Sequence, residues 1–128
     1  MKISVITVCR NAENVIEETM QSVLSQTYSD VEYIIVDGGS TDKTLSIIEK
    51  YRDKIAFWVS EPDNGIYDAM NKGIKAATGD VLNFLNAGDV FYDSNVLKKV
   101  ANTFIESNPD VLYSEVIYFN PETNRIFH

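Results

Sequence analysis

A chain of 128 residues with 45% hydrophobic content is long enough for one unit with a sizeable core. Its 19 acidic residues against 11 basic give a net charge of −8, and Lys98-Lys99 is the largest basic cluster, so a nucleic-acid partner and adsorption to an anionic membrane surface are both disfavoured. The single cysteine, Cys9, excludes an internal disulfide, and no run approaches the ~20 apolar residues of a spanning helix.

In chain order, Ile3 to Val8 is β-branched and bounded by polar residues, which predicts a buried strand. Asn14 and Glu17 have the spacing of a capping box, opening a helix from Val15 to about Gln26. A second strand, Val31 to Val36, stops at Asp37-Gly38-Gly39-Ser40-Thr41-Asp42, whose composition is that of a loop. Thr41 or Asp42 then caps a short helix running to Tyr51. Ile55 to Val59 is a third strand, and Glu61-Pro62-Asp63-Asn64-Gly65 is a turn-rich loop. Ile66, Met70, Ile74 and Ala77 recur at helical spacing, with Thr78-Gly79 at the end of that helix.

Val81 to Leu85 is the fourth strand, followed by Asn86-Ala87-Gly88-Asp89. Ser94 is placed to cap a helix carrying Val96, Leu97, Val100, Phe104 and Ile105, which Asn108-Pro109 stops. Val111 to Tyr118 and Arg125 to His128 read as a hairpin around Pro121. The final residues carry no cap or polar tail, so the chain is expected to continue beyond His128, and an unfinished sheet edge there would invite pairing with another copy.

Strand and helix alternate four times, which predicts an α/β fold with a mostly parallel central sheet flanked by helices. Ligands of such sheets sit at the carboxyl ends of the strands. That rule selects the loops beginning Cys9-Arg10-Asn11, Asp37-Gly38-Gly39-Ser40, Ser60-Glu61-Pro62-Asp63 and Asn86-Ala87-Gly88-Asp89. Each alone is an acceptable turn. Together they form a polar rim with three sources of carboxylate, suited to a hard cation that takes one or two carboxylates plus substrate phosphates.

The segments Ser4-Val5-Ile6-Thr7, Val36-Asp37-Gly38-Gly39-Ser40-Thr41-Asp42, Asp63-Asn64-Gly65-Ile66-Tyr67-Asp68-Ala69-Met70-Asn71-Lys72-Gly73 and Phe84-Leu85-Asn86-Ala87-Gly88-Asp89 resemble family 2 glycosyltransferases of the GT-A (Rossmann-like) fold. The similarity covers nearly the whole chain in order, and looks closest to enzymes of bacterial surface-polysaccharide synthesis, of the colanic-acid type. The resemblance implies an inverting transferase that moves a sugar from a nucleoside-diphosphate sugar to an acceptor hydroxyl on a glycan or lipid-linked acceptor.

It also implies roles, position by position. Asp37 would accept a hydrogen bond from the nucleotide base. The loop from Val8 through Arg10 to Asn11 would lie against base and ribose. Asp89 would bind a divalent cation, Mn²⁺ or Mg²⁺, bridging the donor diphosphate, and Asn86 would contact the donor sugar or ribose. Gly88 departs from the pattern, because many relatives carry an acidic residue there. Asp68 and Lys72 match the helix motif, Asp68 being placed to orient the donor loop or cap structure locally.

The family's general base, an aspartate, lies downstream of this donor-binding stretch. Asp93, Asp110 and Glu115 are the carboxylates left here, and none is assigned as catalytic. The expected unit is therefore a single nucleotide-sugar-binding domain, residues 1–128, without its acceptor-binding half and with little or no transfer activity alone. Its expected compartment is the cytoplasm, free or peripheral at the inner face of the membrane. Two other readings compete: a donor-binding fragment without transfer, and a nucleotidyltransferase. The latter wants a glycine-rich basic loop after the first strand, and Cys9-Arg10-Asn11-Ala12 has no glycine. A receiver-like module lacks its acidic pair at the same place, and no P-loop sequence occurs.

Overall fold

A computed structural model describes residues 1–112, 118–120 and 125–127. The elements are β1 (Ile3–Cys9), α1 (Ile16–Leu24), β2 (Val31–Asp37), α2 (Thr44–Lys50), a 3₁₀ turn (Arg52–Lys54), β3 (Phe57–Ser60), α3 (Ile66–Ala76), β4 (Val81–Phe84), α4 (Val96–Ser107), β5 (Tyr118–Asn120) and β6 (Arg125–Phe127). β1 to β4 form a four-stranded sheet in the order β3-β2-β1-β4, every pairing parallel. This is the expected α/β architecture.

The central strands are buried on both faces, which is why they read as continuous apolar runs. Alternation along β1 and β2 divides the core in two. Ile3, Val5, Cys9, Tyr33 and Ile35 pack with Ile16, Met20 and Val23 of α1, Ile48 of α2, and Leu97 and Ala101 of α4. Ile6, Val8, Ile34 and Val36 turn to the other face and pack on Ala69 of α3.

Several local expectations are corrected. Asn14 does not cap α1: the flanking residue is Val15 and makes no side-chain cap bond. Glu17 instead receives Tyr51 Oη at 2.9 Å and pairs with Lys50 at 2.8 Å, because its position faces α2. Asp42 is the residue that serves α2, its Oδ1 accepting from Thr44 N at 2.9 Å. Ser94 does not cap α4; Asp93 Oδ1 holds Asn95 N at 2.8 Å. β3 starts at Phe57, since Ile55 N closes the 3₁₀ turn on Arg52 O.

On α3 the buried residues are Ala69 and Gly73, while Ile66 and Ile74 are exposed. The helix lies so near the sheet that a Cβ on Gly73 would stand 2.5 Å from Ile6 Cγ2. Close approach, rather than the larger apolar side chains, selects the contact face. Gly79 is not a left-handed cap either: α3 ends at an extended Ala77, and a Cβ on Gly79 would meet Ser4 Oγ at 2.5 Å and Lys2 O at 2.9 Å. Asn108 does end α4 in the left-handed conformation (φ 46°).

β5 and β6 pair antiparallel, Tyr118 opposite Phe127. Val111 and Leu112 are not in a strand. Glu115, Pro121 and His128 lie outside the described residues.

Candidate nucleotide-sugar site

The strand order places a topological switch between β1 and β4. The chain steps outward from β1 through β2 to β3, then crosses by α3 to the opposite side of β1. At such a point the loops leaving neighbouring strands diverge toward opposite faces and open a crevice at their carboxyl ends. Here those loops are the ones after Cys9 and after Phe84, which carry Arg10 and Asn86 to Asp89.

Asp37 anchors the rim. The parallel register sets Cys9, Asp37 and Ser60 in one row across β1, β2 and β3, so their side chains share a face. Asp37 is fully buried. Its Oδ1 accepts from Ser40 Oγ at 2.5 Å and Cys9 Sγ at 3.3 Å; its Oδ2 accepts from Ser40 N and Ser60 Oγ at 2.8 Å and Gly39 N at 3.0 Å. Burial pushes the carboxyl pKa up, but the hydrogen bonds from Ser40, Ser60 and Cys9 outweigh it and hold the group below its ordinary value. The same burial, reinforced by the Asp37 charge, pushes the Cys9 thiol far up, so it stays protonated as a donor.

Five donors fill the roughly four lone-pair sites of a carboxylate. In this arrangement Asp37 organises its loop, and a base would reach it only by turning a serine hydroxyl away. The adjoining glycines let the loop after β3 close over it. A Cβ on Gly38 would meet Asp63 Oδ2 at 2.7 Å, and Gly39, at φ 84°, lies against the Pro62 backbone.

The other loops are bound to this one. Asn11 N donates to Ser40 Oγ at 2.8 Å, Thr41 N to Asn11 Oδ1 at 2.9 Å, Ala12 N to Thr44 Oγ1 at 2.8 Å and Glu13 N to Asp42 Oδ2 at 3.2 Å. Val8 is buried, its side chain packed on the α3 face of the sheet and its carbonyl taken by Ala87 N at 3.2 Å. It supports the rim from beneath and offers no exposed side chain. Arg10 is exposed, with no polar partner among the described residues.

Asp68 and Lys72 fix the loop after β3. Asp68 Oδ2 accepts from Asn64 N at 3.0 Å, and Lys72 Nζ reaches Glu61 Oε1 at 3.0 Å, Pro62 O at 3.4 Å and Asp68 at 3.7 Å. Of its two expected roles, Asp68 performs the local capping one within the structure.

The loop after β4 differs from the rest. Asn86 O accepts from Asp89 N at 3.0 Å to close a turn, with Gly88 at φ 100°. That left-handed conformation explains a glycine at this position. Asn86 Oδ1 is buried and has no hydrogen-bond partner. Asp89 is exposed, and its carboxylate has no partner among the described residues. An orphaned buried acceptor beside a free carboxylate is a place where a ligand supplies what the protein leaves unmet.

No group of three or more His, Cys, Asp or Glu side chains is gathered for a metal among the described residues. One exposed carboxylate on the loop after β4 does fit the mode in which Mg²⁺ or Mn²⁺ completes its shell from substrate phosphates and water. Asp93 is engaged with Asn95 N and sits 3.9 Å from Lys99, and Asp110 is exposed in the segment after α4.

Residues 4–128 match the family described as Glycosyl transferase family 2. The chain belongs to that family. A PGL/p-HBAD biosynthesis glycosyltransferase of Mycobacterium bovis (strain BCG / Pasteur 1173P2) is 38% identical over 118 residues, covering 89% of this chain and 46% of the relative. An uncharacterized glycosyltransferase of Mycobacterium tuberculosis (strain ATCC 25618 / H37Rv) is 38% identical over 108 residues, 84% of this chain and 41% of the relative. The chain thus spans less than half the length of these curated relatives.

Solved structures agree. S. aureus TarS 1-349 in complex with UDP-GlcNAc superimposes with a TM-score of 0.77 at 32% identity, covering 84% of this chain and 32% of that one. The mannosyltransferase PcManGT from Pyrobaculum calidifontis, in complex with GDP-Man and Mn²⁺, gives a TM-score of 0.76 at 24% identity over 83% and 33% respectively, a likeness of fold. The four-stranded parallel sheet with its flanking helices is the GT-A fold of these glycosyltransferases.

Proposed function

We propose that this chain forms the donor site of an inverting glycosyltransferase, binding a nucleoside-diphosphate sugar at the β1/β4 switch with a divalent cation contacted by Asp89. The observation that carries the reading is the contrast within the rim. Polar groups around Asp37 are satisfied internally, while Asn86 Oδ1 and Asp89, at the crevice, are not. UDP and UDP-GlcNAc in the TarS complexes make uridine diphosphate the first nucleotide to try.

In this reading the Cys9-Asp37-Ser60 row holds the rim rigid, so that Arg10 and Asn11 present a fixed edge to base and ribose. Asn86 Oδ1 accepts a hydrogen bond from a hydroxyl of the ribose or the donor sugar. Asp89 sits where the diphosphate leaves. Asp89 would hold the cation there, and the cation would supply Lewis-acid stabilisation to the negative charge that develops on the departing phosphate oxygen. Inversion further requires a carboxylate base on the opposite face of the sugar, taking the proton of the acceptor hydroxyl. As the likeness to the family implies, we place that base downstream of this donor-binding stretch. The acceptor, a glycan or lipid-linked hydroxyl, and a role in surface-polysaccharide synthesis belong to the same proposal, as does a cytoplasmic setting. No helix among the described residues is long and apolar enough to cross a membrane.

The site is tested by adding UDP to ¹⁵N-labelled protein and following amide shifts. The reading expects changes gathered at residues 10–12, 37–42 and 86–89. Shifts confined to the groove between Glu13 and Lys50, or to the opposite end of the sheet, would contradict it.

A further inference from the structure

Between Phe84 and Val96 the chain has neither helix nor strand, yet two side chains of α1, and Gln26 just beyond its end, hold this loop and the start of α4. Thr19 Oγ1 accepts from Gly88 N at 3.0 Å, Ser22 Oγ accepts from Phe91 N at 3.3 Å, and Gln26 Oε1 accepts from Leu97 N at 3.0 Å. Gln26 Nε2 also donates to Asp93 O at 2.6 Å. Residues 19 and 22 are three apart, the spacing that aligns side chains along one face of a helix, and Gln26 follows just beyond the end of α1.

The two hydroxyls are used in the same way. Thr19 donates back to Val15 O at 3.3 Å and Ser22 to Thr19 O at 2.8 Å, so each turns its lone pairs outward to a loop amide. Thr19 is completely buried among core residues, where valine would fill the same space. Its hydroxyl accepts from the amide of Gly88, a residue at φ 100°. Asp89 lies between the two anchored amides, and its own N–H closes the turn on Asn86 O.

We propose that Thr19 and Ser22 are positioning residues for Asp89, fixing the carboxylate through the Gly88 and Phe91 amides in the orientation that meets the cation. The proposal rests on the reading of Asp89 as the cation contact. Groups that orient a metal ligand typically matter by roughly 10–100-fold in metal affinity. Thr19→Val removes the acceptor at nearly constant volume, and Thr19→Ser restores it.

Two readouts decide the matter: amide hydrogen exchange at Gly88 by NMR, and Mn²⁺ affinity by calorimetry in the presence of UDP. Thr19→Val is expected to speed Gly88 exchange roughly tenfold, as loss of one partly buried hydrogen bond implies, and to weaken Mn²⁺ about tenfold. Affinity for UDP without metal should stay within about twofold, and Thr19→Ser should behave as wild type. Ser22→Ala, at a half-buried position, should move Phe91 exchange and Mn²⁺ in the same direction, and provides the test if Thr19→Val is poorly folded by circular dichroism.

Unchanged Mn²⁺ affinity in folded Thr19→Val and Ser22→Ala, with Asp89→Ala abolishing it, overturns the positioning role and leaves the metal reading intact. Wild-type protein that binds UDP but gains nothing from Mn²⁺ overturns the metal reading itself, and the positioning role with it.

Discussion

Replacing Asp37 tests whether the rim is held by one buried carboxylate. In Asp37→Ala the two serine hydroxyls and the Cys9 thiol can turn toward other acceptors, but Gly39 N and Ser40 N, 3.0 and 2.8 Å from Oδ2, cannot. A buried donor left without a partner costs about 1–3 kcal/mol, so two such amides and the emptied space cost about 3–5 kcal/mol in all. For a chain of this size that lowers Tm by roughly 10–20 °C. Asp37→Asn keeps one oxygen for the two amides and should lose about 1–3 kcal/mol.

The measurement is urea denaturation followed by circular dichroism, between pH 7 and pH 3. The folded-state pKa of Asp37 is depressed, so its contribution is present in full above the unfolded value of about 3.9 and is lost as the pH falls through the folded value. Wild type should therefore lose stability below about pH 4 more steeply than Asp37→Asn does. An Asp37→Ala protein within about 0.5 kcal/mol of wild type, the range of an ordinary surface change, would refute the account of the rim.

Other substitutions separate steric from conformational glycines. Gly79→Ala places a methyl 2.5 Å from Ser4 Oγ and 2.8 Å from Ser4 N, and should cost about 1–3 kcal/mol by denaturant melt. Gly73→Ala meets only the Ile6 side chain; overpacking of about 1–3 kcal/mol is offset by the ~1 kcal/mol that alanine gains over glycine in a helix, so the net loss should be smaller than at Gly79. Gly88→Ala makes only ordinary contact with Val15 Cγ2, 3.9 Å away, but at φ 100° it should cost about 1–2 kcal/mol, with faster exchange of the Gly88→Ala amide than of the native one. Lys72→Met removes only partly exposed ion pairs with Glu61 and Asp68 and should change stability by less than about 1 kcal/mol.

Much of the architecture was legible because its signals are periodic or compositional. The β-branched runs at Ile3 and Val31, the glycine-rich stop after Val36 and the Asn108-Pro109 terminus each act locally, and each falls where it was read. What was missed depends on neighbours distant in sequence. Glu17 has the spacing of a capping box, but its partners Lys50 and Tyr51 are on another helix. Gly73 reads as a weak point in a helix until Ile6 is seen beneath it. Thr19 and Ser22 read as indifferent helix residues, since their purpose appears only when the loop after β4 is laid across α1. Asp37 reads as a ligand contact, whereas the structure shows it saturated by its own loop and by Cys9 and Ser60 of the flanking strands.

The central claim is that the β1/β4 crevice binds a nucleoside diphosphate through a cation contacted by Asp89. The measurement that tests it most directly is the calorimetric affinity for UDP, GDP and dTDP with and without Mn²⁺, in wild type and Asp89→Ala. The account predicts that one nucleotide binds more tightly with Mn²⁺ and that Asp89→Ala, equally stable, loses that gain. Binding strengthened by Mn²⁺ to the same extent in both proteins would contradict it.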